Sequence, residues 1–173
     1  MARGMRIQPG GGELIRIGAL ELDMKVSAQD SPYTSTFEVR VPPGFDVGAH
    51  RHESTEELFY VLEGELDLLA FEPADYGVPR WQDWVSGTGE RVLRAKAGTV
   101  MYVPPGCPHA FGNPGDKPAR MLFQASPAGH EEYLRELGAQ FTGEAPPDMA
   151  KIVEIRKRHG IEQLTEIAAP TSV

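Results

Sequence analysis

The sequence predicts an all-β domain, a barrel or sandwich of short strands, with two short helices after it. Three observations lead there. Nineteen glycines and 15 prolines among 173 residues suit numerous short strands joined by turns. Several short runs alternate apolar and polar side chains with the period of a strand. Three of the five histidines fall in two segments that read as strands interrupted by turns, and a barrel or sandwich would bring those segments side by side. A chain of 173 residues suits one domain, large enough to bury a true core.

Residues 1–33 read as an N-terminal arm. Its strand runs from Glu13 to Val26 and is broken near Gly18 and Ala19. Leu20, Leu22, Met24 and Val26 alternate as expected of a half-buried edge element. The barrel segment, 34–126, opens on the strand TSTFEVRV and continues Gly44-FDVGA-His50-R-His52-ESTE-Glu57-LFYVLE-Gly64. On a strand, His50 and His52 point to the same side. The connection ESTE leads to Glu57, whose face it shares with Phe59 and Val61. Glu56 is a neighbouring competitor, but alternation sends it outward. Glu63-Gly64 marks a tight turn into a strand from Glu65 to Phe71.

Residues 72–90, EPADYGVPRWQDWVSGTGE, form an insertion longer than an ordinary hairpin loop of about two to five residues. It carries Tyr76, Trp81 and Trp84. These rings can form a lid over a pocket, or pack the loop onto the outside of the barrel or into a dimer contact. Nothing in the sequence aims them at the histidines, which favours packing. The second histidine segment reads Gly98-TVMYV-Pro104-P-Gly106-CP-His109-AFG-Asn113. Its strand, Thr99 to Val103, ends at the turn Pro104-Pro105-Gly106, and His109 opens the next one.

ARMLFQAS, from Ala119, is a strand that should close the barrel. Met121 and Phe123 share a face there and serve pocket lining and core packing equally well. Residues 127–173 read as a helical extension. GHEEYLRELG is a short helix with acidic residues in its first turn and Gly138 after its end. A Pro-rich linker, GEAPPD, precedes a second helix from about Met149 to His159, followed by Gly160 as a cap. Lys151, Arg156, Lys157, Arg158 and His159 read as helix-capping and solubilising charge. His130 and His159 lie outside the two segments and read as surface residues with no metal role.

Together the two segments place His50, His52, Glu57 and His109 as candidates for one metal site. Three neutral imidazoles and a carboxylate can fill four positions of a divalent first-row metal and leave two open on a six-coordinate ion. Iron, manganese, nickel, cobalt, copper and zinc all accept such a set.

The same segments resemble the two signature motifs of the cupins, matched at every defining position from Gly44 to Asn113. The resemblance implies a double-stranded β-helix, the jelly-roll cupin barrel, with the metal inside its mouth and with His50, His52, Glu57 and His109 as ligands. It also implies a homodimer, since the N-terminal strand of cupins often pairs across one. The C-terminal arrangement of strand, SPAG, short helix, Pro-rich linker and second helix is similar to small single-domain cupins of quercetin-dioxygenase-like type. A metal-dependent dioxygenase acting on a small aromatic or enolic, flavonol-like substrate is therefore the first expectation. Glu57 would take the substrate's proton, and Phe59, Val61, Met101, Phe111 and Phe123 would wall the site. A non-redox polyketide cyclase or isomerase, or a non-catalytic small-molecule-binding module, is the alternative on the same residues.

Composition removes other classes. The formal net charge of −8 disfavours a nucleic-acid surface. No apolar run of about 18 residues suggests a membrane span, and the first residues show no signal-peptide pattern, so a cytoplasmic protein is expected. The single cysteine, Cys107, leaves no partner for an internal disulfide. It either faces the metal cavity as a reactive thiol or, the favoured reading, packs in its Pro-rich turn.

Overall fold

Alternation decides which side of each strand is buried, and the two buried sides decide the architecture. A computed structural model describes residues 4–142 and 146–166. Eleven strands and two α-helices follow one another: β1 (Glu13–Ile17), β2 (Leu20–Val26), β3 (Ser35–Val41), β4 (His50–His52), β5 (Glu56–Glu63), β6 (Glu65–Ala70), β7 (Leu93–Lys96), β8 (Val100–Val103), β9 (His109–Gly112), β10 (Ala119–Ser126), α1 (His130–Gly138), α2 (Met149–Arg158) and β11 (Ile161–Gln163). They build a six-stranded sheet in the order β1-β2-β3-β10-β5-β8 and a five-stranded sheet in the order β11-β4-β9-β6-β7. The fold is a double-sheet jelly roll with the two short helices after it.

The core lies between the sheets. Phe37, Val39 and Val41 of β3, Phe59 and Val61 of β5, and Met121 and Phe123 of β10 face Leu66, Leu68, Ala95 and Phe111 of the other sheet. Phe59 and Phe123 stack at 4.9 Å between ring centroids, and Phe37 continues the stack at 5.5 Å from Phe123. Such offset aromatic contacts add about 0.5–1.5 kcal/mol each beyond area burial. Gly64, at φ +77°, makes the turn from β5 to β6, and a Cβ there would lie 3.0 Å from Ala119 Cβ.

The arm differs from the edge element that its alternation predicts. β2 lies between β1 and β3, so β1 is the edge strand and pairs with β2 of its own chain. β10, expected to close the barrel, lies between β3 and β5 and joins them.

The insertion packs on the outer face of the five-stranded sheet, and both tryptophans are buried. Trp81 and Trp84 form a second core with Ala49, Leu69, Phe71 and Ala110. Trp81 sits on a short 3₁₀ turn, Trp81–Asp83, and donates from Nε1 to Asp46 Oδ1 at 2.8 Å. Trp84 Nε1 donates to Val78 O at 2.8 Å.

Two points in the helical extension depart from the sequence reading. Gly138 does not follow α1 but ends it, with right-handed φ of −57°. Its small size is used differently: a Cβ there would meet the Arg16 carbonyl oxygen at 2.6 Å, so glycine lets α1 sit against β1. Arg156 is not a capping or solubilising charge. It is 4 % exposed and turned into the protein, while Lys157 and Arg158 stay outside. α2 is capped by Asp148, which accepts from Ala150 N at 3.0 Å, and by Gly160 at φ +70°. Of the linker, residues 143–145 lie outside the described residues. Among the described residues no helix is long and apolar enough to cross a membrane.

Candidate metal centre

Two strands from one sheet and one from the other meet at the centre. His50 and His52 flank Arg51 on β4, so both side chains enter the barrel while Arg51 faces out and pairs with Glu162 at 2.7 Å. β9 lies beside β4 with His109 opposite His50, and the two rings are 4.3 Å apart. Glu57 comes from the facing sheet, on β5 between β10 and β8. All four side chains are buried. Glu56, one residue earlier, is exposed and accepts from Tyr102 OH at 2.8 Å, as alternation requires.

The hydrogen bonds orient the rings. His50 Nδ1 lies 2.8 Å from Gly48 O and His109 Nδ1 lies 3.0 Å from Cys107 O. A carbonyl oxygen only accepts, so each Nδ1 carries the hydrogen and each Nε2 is left with its lone pair. Backbone partners of this kind hold imidazoles ready for a metal. One ligand atom from each of His50, His52 and His109 lies within 4.8 Å of the others. Glu57 Oε1 is 3.1 Å from His52 Nε2 and Oε2 is 2.9 Å from His109 Nε2. Despite those distances, both Nε2 atoms are buried without a hydrogen bond of acceptable geometry. Two orphaned, buried imidazole nitrogens converging on a carboxylate fit a shared divalent cation, which would satisfy all three groups.

Protonation states agree with that fit. Burial holds the His50 imidazole well below its ordinary range, helped by charge on His109, Arg156 and His52. Burial pushes the Glu57 carboxyl up, but the electrostatic pull of the adjacent His52 and His109 side chains outweighs it and holds the group well below the usual carboxylate range. A neutral imidazole and an ionised carboxylate are the ligand forms.

The cavity above these residues has a volume of about 520 Å³ and is walled mainly by apolar side chains. Phe59, Phe111 and Phe123 line it, as the sequence suggests. Val61 and Met101 do not; they are buried in the core. Cys107 is also outside the wall. It is half-buried in its turn, where burial and the charges of Glu72 and Glu90 push its thiol up.

Three wall residues escape a motif-based reading: His130, Tyr133 and Arg156. His130 is not on the surface. Its side chain is 9 % exposed, and its Nε2 lies 3.9 Å from Glu57 Oε1. Its ring packs edge-on against Phe123 and Tyr133, and with His52 and Glu57 it forms a second group of potential ligand atoms. Glu131 anchors the start of α1 that carries it, accepting from Ala28 N at 2.7 Å and from Ser35 Oγ. The sequence does hold the signal. His130, Tyr133, Leu134 and Leu137 fall on one helical stripe, as do Ile152 and Arg156 on α2. His159 stays outside, 2.8 Å from Glu136.

Burial lowers the His130 imidazole to about 4. The unfolded chain takes up this proton near pH 6.5, whereas the folded chain refuses it until about pH 4. Stability should therefore fall as the pH drops through that window, by about 3 kcal/mol from this residue, and level off below it. Urea unfolding of metal-free protein at pH 7 and pH 4.5 checks this. His130→Phe should show a clearly smaller loss than the wild type, and an equal loss would refute the assignment.

Comparisons with known proteins follow this geometry. The family model described as Cupin matches residues 7–140. An uncharacterized protein of Methanocaldococcus jannaschii is 29 % identical over 99 residues, which cover 57 % of this chain and 65 % of that protein. The match thus spans less than two thirds of that relative's length. Among solved structures, a predicted oxalate decarboxylase of Thermotoga maritima superposes with a TM-score of 0.55 at 21 % identity, covering 70 % of this chain and 98 % of that one. The polyketide cyclase RemF of Streptomyces resistomycificus gives 0.54 at 20 % identity, covering 72 % and 80 %. A sugar phosphate isomerase of Silicibacter pomeroyi gives 0.53 at 20 % identity, covering 70 % and 75 %. At these identities the likeness is one of fold.

Proposed function

Since the chain belongs to the cupin family, we propose that it is a metal-dependent enzyme, a dioxygenase acting on a small aromatic or enolic, flavonol-like substrate. The observation that carries this reading is the cluster of His50, His52, His109 and Glu57, of which His50, His52 and Glu57 line an apolar cavity of about 520 Å³, a size that suits a drug-sized planar molecule. The three histidines and Glu57 would hold the metal. When bound, it would supply a Lewis acid with open positions for a substrate oxygen and for dioxygen.

The chain's own residues account for the rest. Phe59 and Phe123, stacked on each other, give the cavity an aromatic wall against which a planar substrate can pack. Glu57 is held ionised and is the nearest base for an enolic hydroxyl proton. His130 stays neutral and sits beside Glu57 Oε1, so it leaves the proton on that carboxylate. The apolar wall keeps bulk water from the reacting atoms.

The ionised Glu57 carboxylate at the cavity also favours a second reading, isomerase or cyclase chemistry without oxygen. Such reactions remove a proton at one carbon and return it at another, and one carboxylate held at the substrate suits that. Oxygen uptake decides between them. Protein reconstituted separately with Fe(II), Mn(II), Co(II) and Ni(II) is offered flavonols, catechols and β-diketones. Metal-dependent uptake abolished by His52→Ala is the expected result. Product formation without uptake would replace the dioxygenase by the second reading.

A further inference from the structure

Arg156 lines the cavity, and neither the metal site nor proton transfer at Glu57 uses its chemistry. Its guanidinium is buried, with 4 % of the residue exposed, and it lines the same cavity as His50, His52 and Glu57. One terminal nitrogen donates to Gln163 Oε1 and the other to Val47 O at 3.2 Å. Nε is buried with no partner. Among the described residues no carboxylate forms an ion pair with it.

A buried guanidinium without a counter-anion is costly. The carboxylates nearby are engaged elsewhere. Asp46, also on the wall, accepts from Gly48 N, Trp81 Nε1 and Gln82 Nε2. Glu57 faces His52 and His109. The charge sits close to the metal end of the cavity, because Gln163, which holds the guanidinium, lies opposite His50 in the β11–β4 pairing. Tyr133 lines the wall beside the guanidinium.

We infer that Arg156, with Tyr133 beside it, is an anion-binding subsite, and that the molecule taken by this cavity is an apolar carboxylic acid whose carboxylate is received by the guanidinium while its hydrocarbon body lies on Phe59 and Phe123. The inference deepens the reading of the cavity as a substrate site and rests on it. Arg156 is a specificity residue here and takes no part in proton transfer.

The test compares 2-naphthoate with its uncharged counterpart 2-naphthamide, by calorimetry on the full chain, both metal-loaded and after chelation. Charge-assisted hydrogen bonds to a buried guanidinium are worth enough for a preference of about tenfold or more. The acid is expected to bind at least about tenfold tighter than the amide in both states. Arg156→Gln should bring the two within about twofold, and Arg156→Lys should keep part of the preference. Equal affinities in the wild type would overturn the inference, as would a preference that survives Arg156→Gln. A preference present only with metal bound would assign the carboxylate to the metal instead. If Arg156→Gln fails to fold, the wild-type comparison on chelated protein still decides. Absence of turnover with any substrate would sink the enzyme reading and leave this charge preference standing, so the two failures are distinguishable.

Discussion

Glu57→Gln is expected to lower kcat by about 10²–10⁴-fold while the protein still takes up its metal. The amide keeps the shape of the carboxylate and one oxygen that can ligate, but it cannot take a proton. The Glu57 side chain reaches His52 and His109 from the opposite sheet, and glutamine spans the same distance, so the site's geometry should survive. Metal content by elemental analysis and turnover by oxygen electrode, measured on one preparation, check both halves. A variant that retains full rate with metal bound would show that Glu57 is not the base. A variant that loses its metal would assign it to ligation first.

The largest expected effect on stability is that of Trp81→Ala, a loss of about 3–5 kcal/mol. Trp81 is 2 % exposed, and its ring packs against Gly112 on β9, where an added Cβ would come within 3.3 Å of it. The effect should also reach the metal. Asp46 Oδ1 accepts both from Trp81 Nε1 and from Gly48 N, each at 2.8 Å, and the Gly48 carbonyl in turn fixes His50 Nδ1 at 2.8 Å. Loosening an outer partner of a ligand costs about 10–100-fold in metal affinity, and a loss near the lower end is expected here. Trp81→Phe keeps most of the packing and should lose about 1 kcal/mol. Chemical denaturation and chelator competition measure the two effects, and unchanged metal affinity in Trp81→Ala would disconnect the insertion from the site.

The barrel and the centre of the site are legible in the sequence because strand alternation has a strict period of two. His50 and His52 have to share a face, and Glu56 and Glu57 have to take opposite ones. The wall is less legible because helices supply part of it. His130 and Arg156 are polar residues on otherwise apolar helical stripes, and a reading that sorts residues by charge sends both to the surface. Val61 and Met101 alternate correctly toward the inside, but alternation gives a side and not a depth. It cannot separate cavity wall from packed core. The arm misleads for a related reason, since the pattern of β2 is the same whether or not β1 covers its outer edge.

The strand carrying two of the candidate ligands, β4, is only three residues long and depends on a late neighbour. Its outer edge is completed by β11, with Ile161 opposite His52 and Gln163 opposite His50, and Gln163 Nε2 reaches Ala49 O across 114 residues of chain. A ribosome adding about 5–20 residues per second exposes the histidines many seconds before the segment that fixes them. Until α2 and β11 emerge, His50 and His52 sit on an open edge without Gln163 or Arg156 beside them. Firm metal binding is therefore expected only after this segment has been synthesised. A nascent chain arrested before Ile161 would carry every candidate ligand and is expected to hold a metal weakly.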